Sequence, residues 1–500
     1  MNSATPAPST ASSAAEAGAG SSTELTPGAP AGTSVATPGT TQSRRFDRSI
    51  VEGPIARAVW KLAWPTVLQN AIGGLQGIID HAMVGHFVGY TANAAIGVSW
   101  QIFLVVIVFI ASLFTGMGVL VARFAGANDH ERVDRTVYQA FLVAVVLAVG
   151  VMAPIGYFSA PALLRLVNAT PEVSAQALPY LRTMFLFSIG MLLFFMLGGA
   201  LRAAGDARTP LRLGMYLTAL NLTLNIVLIG GLGPIPALGT FGSALGTVIA
   251  SAIVAGTALW MILSDRMVIH FPRNGSWAPD WTIIRQLFKF GLPAGLQGVA
   301  MNVAGVMLLR FIGSLEHSAE AQAAYAVGYA ELFSLITWTS VGLMGAAAAV
   351  AGQNLGAGQP ERSERAVAIA ARIGLGVAAF VGTWFVLAPG VLLAIFGLDD
   401  PIVVAIGSQL LRYLSVSGFF ITVALTYNGG LQGTGDTRSP LFITLISQVA
   451  LPLGTCFLLE QSGHLTPSGV WTAIVLGHFT RCALTVTRFK QGKWKNIRVE

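Results

Sequence analysis

The sequence predicts an all-α polytopic membrane protein, with twelve transmembrane helices in two pseudo-symmetric six-helix lobes around a central cavity. Its composition is the first reason, because 54% of the 500 residues are hydrophobic and only 10% are charged. A soluble domain carries about 25% charged residues. A chain so poor in charge cannot cover a large water-facing surface, so most of it must lie in lipid. An internal repeat and the spacing of apolar runs complete the argument.

The chain consists of one unit that occurs twice. Gly205 of GDARTP matches Gly435 of GDTRSP, and Gly126 of GANDHERVDRTV matches Gly356 of GAGQPERSERAV, with the same offset in both pairs. A looser match, WPTVLQ with LPAGLQ, has nearly the same offset. Because the matches occur in the same order, they indicate duplication of a whole lobe. In transporters built from such repeats, the substrate site lies at the interface between them.

Apolar runs of about 20 residues, the length needed to cross a bilayer, occur six times in each half. Six is an even number, so both halves begin on the same side of the membrane. The predicted spans are 61–85, 92–122, 134–158, 175–202, 211–232 and 240–263 in the first half, and 287–312, 324–351, 365–394, 404–432, 441–460 and 468–489 in the second.

Basic residues are concentrated in the connections on one side of the predicted spans. That side holds Arg123, Arg208 and Arg438 among many others, whereas the connections on the other side hold only Arg165. Because basic loops stay in the cytoplasm, we predict two cytoplasmic termini and a location in a bacterial-type inner (plasma) membrane. The net charge of +7 is therefore attributed to membrane topology, and no nucleic-acid partner is expected.

The predicted organisation has five parts. Residues 1–45 are almost entirely Ala, Ser, Thr, Pro and Gly, which predicts a disordered tail and no signal peptide. The other parts are an N-lobe at 55–263, a cytoplasmic interlobe linker at 264–284, a C-lobe at 285–490 and a cytoplasmic tail at 491–500. The two cysteines, Cys456 and Cys482, lack metal-like spacing, so neither a metal site nor a cofactor is predicted.

Asp80, in LQNAIGGLQGIIDHAMVG of the first span, is the main candidate for ion coupling. Charged residues within spans are rare and are functional candidates by default. In a cavity of low dielectric, an isolated carboxylate can take up and release a proton near physiological pH, and it can also bind a cation. The alternative interpretation is a carboxylate near the helix end that is hydrated at the membrane surface.

Further polar residues accompany Asp80. Gln69, Gln76 and Asp80 fall on one face of the first predicted helix, and Asn221 and Asn225 lie one turn apart in the fifth. Gln69, Gln76 and Asn221 are candidates for the substrate cavity. Either asparagine could bond to Asp80 or to a substrate, and an amide bond between helices is the alternative.

Glu331 is the only clear mid-span acid of the second half, in YAVGYAELFSL, and Tyr325 lies close to it in sequence. Both are candidates for the substrate cavity. Arg310, in the seventh span, could be the counter-ion of Glu331. A structural ion pair is the alternative to a role in transport.

The two GD-R-P segments are interpreted as structural turns. Each follows the fourth predicted helix of its lobe, and its aspartate is expected to cap the turn and to pair with the arginine two residues later. The residues concerned are Gly205, Asp206, Arg208 and Pro210, and Gly435, Asp436, Arg438 and Pro440.

These motifs resemble those of the MATE (multidrug and toxic compound extrusion) family over about residues 55–490. The resemblance rests on the first helix, with Pro65 and IIDHAMVGHFVG, on the two GD-R-P turns, on the LGAG-type loop at Leu355 and on NIVLIGGLGPIPALGTFGSALGT from Asn225. It implies two six-helix lobes around an outward-opening cavity. It also implies export of organic, often cationic and amphipathic, compounds in exchange for protons or sodium ions.

The resemblance assigns roles to individual residues. Asp80 matches the acid of the family's first helix and Asn225 an asparagine of its fifth, which implies cation coupling for both. Ile229, Met301 and Ile421 stand where members of the family often have acids. The chain is therefore more similar to the DinF-type branch, with coupling centred on the N-lobe, which favours protons and leaves sodium open.

Two other functions are alternatives to antiport. A flippase for a lipid-linked oligosaccharide would need a cationic cavity to bind phosphate, and few mid-span Arg or Lys residues are visible. A membrane-embedded enzyme would need a convergent nucleophile, base or metal set, and no such constellation is found. We therefore predict a transporter and not an enzyme, which acts on a small-molecule substrate, contacts membrane lipids and is a monomer.

Overall fold

The structure is a computed structural model that describes residues 46–88, 90–167, 169–231, 234, 236–271 and 278–499, without the side chains at 78, 81, 82, 85–87, 90 and 93. The predicted disordered tail, residues 1–45, and part of the predicted linker, residues 272–277, lie outside the described residues. Within the described residues, the regular secondary structure is helical throughout.

In this part of the chain, twelve long helices, numbered in chain order, form the body of the protein. They are α1 (Ile55–Phe87), α2 (Tyr90–Gly126), α3 (His130–Leu166), α4 (Pro171–Leu186 and Ile189–Ala203), α5 (Arg208–Gly230), α6 (Gly239–Leu263), α7 (Trp281–Gly313), α8 (Ser318–Gly356), α9 (Pro360–Leu387), α10 (Pro401–Gly433), α11 (Arg438–Gln461) and α12 (Pro467–Lys490). Ten helices, α2 among them, are each long and apolar enough to cross a membrane, and the two segments of α4 together make an eleventh span. Helix α1 has 33 residues, which corresponds to about 50 Å, and it completes the predicted twelve.

The outer surface of the helical body is apolar, as expected for a surface in contact with lipid. The side chains of Phe158, Leu166 and Leu387 are 78%, 78% and 74% exposed. Inside each lobe, apolar side chains pack closely; Phe103 and Phe185 of the N-lobe, for example, lie with ring centroids 5.5 Å apart. Exposed apolar residues of this size in such number are typical of a protein that resides in a membrane.

Two helices differ from the predicted spans, and each difference has a local cause. The predicted ninth span, 365–394, is too long, because α9 ends at Leu387 and a separate short helix, Pro389–Ala394, follows it. Pro389 begins this short helix. Because proline lacks the backbone amide hydrogen that a helix interior needs, α9 does not continue through it. Helix α4, predicted to be continuous, is bent by 51° between its two segments. Near the bend, Gly190 packs so closely on α6 that a Cβ would lie 2.6 Å from the Ala252 nitrogen.

The two lobes meet where α2 and α8 end together at one membrane face. We call this face, at which α1 begins and α12 ends, the terminal face. A Cβ on Gly126 would lie 1.9 Å from the Gln353 carbonyl oxygen, and a Cβ on Gly356 would lie 2.0 Å from the Arg123 carbonyl oxygen. Gly126 matches Gly356 in the repeat, and Arg123 matches Gln353 with the same offset. The contact therefore follows the two-fold pseudo-symmetry of the repeat.

The ends of the described chain bridge the two lobes at the terminal face. Arg362 of the C-lobe donates through Nη2 to the carbonyl oxygen of Gly53 at 2.8 Å. Arg123 of the N-lobe donates to the carbonyl oxygen of Ile497, in the tail that follows α12. Each chain end is thus held by the lobe to which it does not belong in sequence.

Candidate functional site

A cavity of about 350 Å³ lies between the two lobes. Helices α1, α2 and α4 of the N-lobe and α8 and α10 of the C-lobe form its wall, which is mostly apolar and includes Phe114, Phe195 and Met344. Pockets for small organic molecules have this character, with a few polar groups that orient the ligand. The cavity is also at the repeat interface, where transporters of this kind bind their substrates.

Two equivalent polar pairs lie at this cavity. Arg202 Nη1 donates to Gln69 Oε1 at 3.3 Å, and Gln432 Nε2 donates to Gln297 Oε1 at 3.2 Å. Gln432 follows Arg202 with the offset of the two GD-R-P turns, and Gln297 follows Gln69 with the offset of the WPTVLQ and LPAGLQ segments, so the pairs are repeat partners. Among the described residues that line the cavity, Arg202 is the only charged one. Of the predicted cavity residues, Gln69 is the one that the structure places in this wall.

A polar cluster in the N-lobe surrounds Asp80. Asn225 Nδ2 of α5 donates to Asp80 Oδ1 at 2.9 Å and to Asn221 Oδ1 at 3.2 Å. Gln76 Nε2 of α1 donates to Asn221 Oδ1 at 2.9 Å. The structure thus brings together four of the residues that the sequence suggested, two from α1 and two from α5.

The polar face of α1 contributes side chains to two separate sites, the central cavity and the polar cluster of the N-lobe. Gln69 lines the cavity between the lobes, whereas Gln76 and Asp80 contact α5 inside the N-lobe. Gln69 and Asp80 are eleven residues apart, which corresponds to about 16 Å along the helix. A single rigid helix therefore links the acid of the N-lobe to the wall of the central cavity.

The side chain of Asn225 has an acceptor atom without a hydrogen-bond partner among the described residues. This atom is Oδ1, and the side chain is completely buried. Buried polar atoms are nearly always paired, so an unpaired oxygen at this position is unusual. Gly246 of α6 allows the arrangement, because a Cβ there would lie 2.1 Å from Asn225 Oδ1. Carboxylate and amide oxygens suit a hard cation, and a carboxylate can also take up a proton.

The candidate residues of the C-lobe lie away from the central cavity. Tyr325 is buried in the C-lobe core, and Glu331 is exposed in the π-helical segment Ala326–Leu332 of α8. The suggested pair of Arg310 with Glu331 is wrong, because Arg310 Nη2 lies 3.5 Å from Glu460 Oε2 of α11. The sequence could not show that α7 and α11 place these two charges side by side.

The two GD-R-P turns have the same backbone structure. Gly205 has a φ of +100° and Gly435 a φ of +99°, values in the left-handed region that glycine adopts without steric cost. These glycines end α4 and α10. Pro210 and Pro440 lie in the first turns of α5 and α11, where proline is tolerated. The geometry is that of turns which end one helix and begin the next.

The aspartates of these turns cap the following helices. Asp206 Oδ1 accepts from the backbone nitrogen of Arg208 at 3.0 Å, and Asp436 Oδ1 accepts from that of Ser439 at 3.2 Å. The suggested side-chain pair with the arginine two residues later is not found among the described residues. Asp436 Oδ2 instead lies 2.8 Å from Arg488 Nη2 of α12, a partner too distant in sequence to predict.

A small second pocket lies beside the first turn, and Asp47, Lys61 and Asp206 are among the residues that line it. Asp47 and Lys61 form an ion pair there. Burial raises the pKa of Asp47, but hydrogen bonds from Lys61 and Ser49 and the charge of Lys61 outweigh this effect, so the pKa lies below its ordinary value. Asp47 is therefore ionised at neutral pH and holds the segment before α1 against that helix.

Three basic residues inside the helices are not among the candidates predicted from the sequence. His478 and Arg481 of α12 are 3% and 2% exposed. Ser417 is hydrogen-bonded to His478 Nδ1, and Arg481 Nη1 has no partner among the described residues. The third is Arg202 in the cavity wall. A signal existed, because all three fall within predicted spans, where ionisable residues are functional candidates.

Comparisons with known proteins agree with this fold. A family model described as MatE matches residues 65–228 and 293–458, one segment in each lobe. A probable multidrug resistance protein NorM from Thermotoga maritima is 26% identical over 88% of this chain and 93% of its own length. The multidrug resistance protein MdtK from Pectobacterium atrosepticum is 26% identical over 87% of this chain and 95% of its own.

Solved structures show the same architecture. A crystal structure of MATE in the straight conformation has a TM-score of 0.81 at 20% identity, with 90% of this chain and 99% of that chain covered. An outward-facing conformation of a multidrug resistance MATE family transporter has a TM-score of 0.82 at 20% identity, with 90% and 98% covered. The arrangement of twelve helices in two lobes is therefore confirmed.

Proposed function

Because the chain belongs to the MATE family of membrane transporters, we propose that it is a secondary antiporter that exports organic, amphipathic compounds in exchange for protons or sodium ions. The relatives named as multidrug resistance proteins support this proposal. The observation that carries it is the cluster in which Asp80 of α1 meets the buried side chain of Asn225.

This cluster has the chemistry that ion coupling needs. Asp80 supplies a carboxylate inside a helical bundle, and Asn225 supplies a fixed donor beside it. Asp80 is half-buried, and a charge that is partly removed from water is costly unless it is neutralised. Binding of a proton or a sodium ion changes that cost, and the change differs between two conformations that surround the carboxylate differently. Such differential affinity shifts the equilibrium between the conformations.

Helix α1 provides the connection to the substrate. Asp80 contacts α5 and Gln69 lines the central cavity, and both belong to the same helix. A change in the packing of α1 on α5 therefore also changes the wall of the cavity. In the proposed cycle, ion binding and substrate binding favour opposite conformations, so that the inward movement of one drives the outward movement of the other.

The contacts at the terminal face suggest which state the structure represents. Gly126 and Gly356 hold the lobes together there, so the cavity is closed towards that face. The concentration of basic residues supports the proposal that the terminal face is cytoplasmic. The structure then corresponds to a state in which the cavity is closed to the cytoplasm and faces the outer side of the membrane.

Protons are the proposed coupling ion. We assign the chain to the DinF-type branch in this proposal, because Ile229 stands where other members often have a second acid in the fifth helix. A sodium ion would therefore have one carboxylate and neutral amide oxygens as its protein ligands, whereas a proton needs the carboxylate alone.

The proposal is tested by efflux from reconstituted vesicles. A panel of cationic, neutral and anionic amphipathic dyes is loaded, and efflux is driven separately by a pH gradient and by a sodium gradient. We expect the wild type to move at least one dye under a pH gradient and Asp80→Asn to abolish this movement. Asp80→Glu, which keeps a carboxylate, should retain part of it.

Three results would count against the proposal. If neither gradient drives efflux of any dye by the wild type, the chain is not an antiporter of such compounds. If transport needs a sodium gradient, the coupling ion is sodium and not the proton. Full activity of Asp80→Asn would remove coupling from this residue, and loss of activity in Glu331→Gln would then assign it to the C-lobe.

A further inference from the structure

The central cavity has a positive charge on one wall and no charge on the other. Arg202 of α4 lines it, and the remaining described residues of its wall are uncharged. A guanidinium group has five donors and stays protonated in proteins. One of these donors is used by Gln69 at 3.3 Å. The group is therefore able to bind an additional acceptor that enters the cavity.

The internal repeat indicates that the equivalent contact can be made without a charge. Gln432 occupies the equivalent position of the C-lobe and makes the equivalent bond to Gln297, at 3.2 Å. An amide thus satisfies the contact between the end of the fourth helix of a lobe and its first helix. The positive charge of Arg202 is not needed for this contact. Because Arg202 lines the cavity, its charge can act on a molecule bound there.

No acid in the described part of the chain neutralises this charge. Among the described residues, Arg202 has no ion pair. The nearest acid in sequence, Asp206, is engaged elsewhere, because its oxygens accept from the backbone nitrogen of Arg208 at 3.0 Å and from Thr209 Oγ1 at 2.5 Å. A cation in a wall of low dielectric attracts an anion more strongly than it would in water, so Arg202 favours a negatively charged group in the cavity.

We infer that the cavity binds substrates that carry a carboxylate, sulfonate or phosphate group, with this group at Arg202. The inference rests on the proposed function and names one chemical class of its substrates. The apolar part of such a molecule would lie against the remaining wall, which includes Phe194, Phe195 and Met344. Methionine and aromatic side chains adapt to apolar molecules of different shape. An arginine can bind each of these anionic groups through two parallel hydrogen bonds.

Three dansyl probes with one fluorescent body test this inference. Dansylglycine ends in a carboxylate, its amide is neutral, and dansyl-ethylenediamine ends in an ammonium group. Binding is measured by dansyl fluorescence with purified protein in nanodiscs of zwitterionic lipid, and efflux of the same probes is measured in vesicles under a pH gradient. We expect the wild type to bind the carboxylate probe about tenfold more tightly than the amide.

The repeat supplies the variant that separates charge from structure. Arg202→Gln installs the residue that the C-lobe already uses at this position, so we expect it to fold and to bind the carboxylate and the amide equally. Arg202→Lys should keep most of the preference for the carboxylate. Gln432→Arg should increase it. Arg182→Gln, which removes an arginine of α4 that packs over Tyr157 at 4.5 Å outside the cavity wall, should leave the preference unchanged.

An anionic lipid headgroup has the same chemistry as the inferred substrate group. The binding measurement is therefore repeated in nanodiscs that contain phosphatidylglycerol. If the wild type then loses its preference for the carboxylate probe, the lipid is the occupant of the site and the inference about substrates fails. A preference that persists assigns the site to the carried molecule.

The inference and the proposed function fail in different ways. Equal or weaker binding of the carboxylate probe by the wild type, or a preference that Arg202→Gln retains, overturns the inference. The proposed function still stands in that case if any of the three probes leaves the vesicles under a gradient. Binding of the carboxylate probe without gradient-driven efflux of any probe supports the site and contradicts the antiporter.

Discussion

Gly246 determines how closely Asn225 can approach α6. A Cβ at this position would lie 2.1 Å from Asn225 Oδ1, which is far shorter than a van der Waals contact. Any larger residue must therefore displace the asparagine that donates to Asp80 at 2.9 Å. A glycine that resembles many others in an apolar run thus allows the close packing of α6 on the side chain of Asn225.

Gly246→Ala is therefore expected to impair transport. We expect the rate of gradient-driven efflux to fall by about tenfold or more, which corresponds to about 1.4 kcal/mol in the activation barrier. The matched control is Gly256→Ala in the same helix, where a Cβ would meet no atom within 4 Å. If the two variants transport equally well, the contact of Asn225 with Asp80 is not needed for coupling.

Individual site residues could be found from the sequence only in part. Asp80 and Asn225 were identifiable because they are polar residues inside apolar runs, and the structure joins them at 2.9 Å. Arg202 was overlooked because it falls at the end of a predicted span, where basic residues usually reach the membrane surface. Its place in a cavity wall depends on the packing of five helices, which no local pattern reveals.

At the scale of helices, the crossing of α2 and α8 closes the terminal face. The crossing uses Gly126 and Gly356, which are repeat partners, each against a backbone oxygen of the other helix. Because backbone atoms cannot move aside as a side chain can, even one added carbon must separate the helices. The closed state of this face should therefore depend on both glycines.

Gly126→Ala and Gly356→Ala are each expected to open the terminal face. The measurement is the reaction of a membrane-impermeant maleimide with a cysteine introduced at Ala348, which lines the cavity, in a background of Cys456→Ala and Cys482→Ala. The reaction from the terminal face should become faster in both variants. Gly118→Ala in α2, where a Cβ would meet no atom within 4 Å, is the control. Unchanged labelling in all three variants would contradict the assigned role of the crossing.

The helices themselves were largely predictable, whereas their interruptions were not. Runs of apolar residues predicted twelve spans because crossing a bilayer requires them. The bend of 51° in α4 and the π-helical segment Ala326–Leu332 of α8 have no distinctive amino-acid composition, so they could not be predicted from the sequence. Pro389 was a visible signal for the end of α9, and the predicted span 365–394 ran past it.

At the scale of the whole molecule, duplication gives the two lobes the same fold. The residues that they contribute to the cavity nevertheless differ in charge. The constant offset between repeated motifs predicted the two lobes and their equivalent turns. The same offset pairs Arg202 with Gln432 at one cavity. If the ion is coupled in the N-lobe and the substrate binds at the interface, as we propose, we expect the two lobes to move relative to each other when the ion binds.

The distance between the lobes at each membrane face tests this coupling most directly. Spin labels at Glu131 and Glu361 report the terminal face, and labels at Leu166 and Phe396 report the opposite face. The members of each pair are repeat partners, and all four side chains are exposed. The labels are placed in a background of Cys456→Ala and Cys482→Ala, and distances are measured by electron paramagnetic resonance as pH or sodium is varied.

We expect the two distances to change in opposite directions in the wild type, since one face opens as the other closes, and to stay fixed in Asp80→Asn. An equal response of the wild type and Asp80→Asn to the ion would contradict coupling at Asp80. Distances that never change in the wild type would contradict the alternation of the two lobes itself.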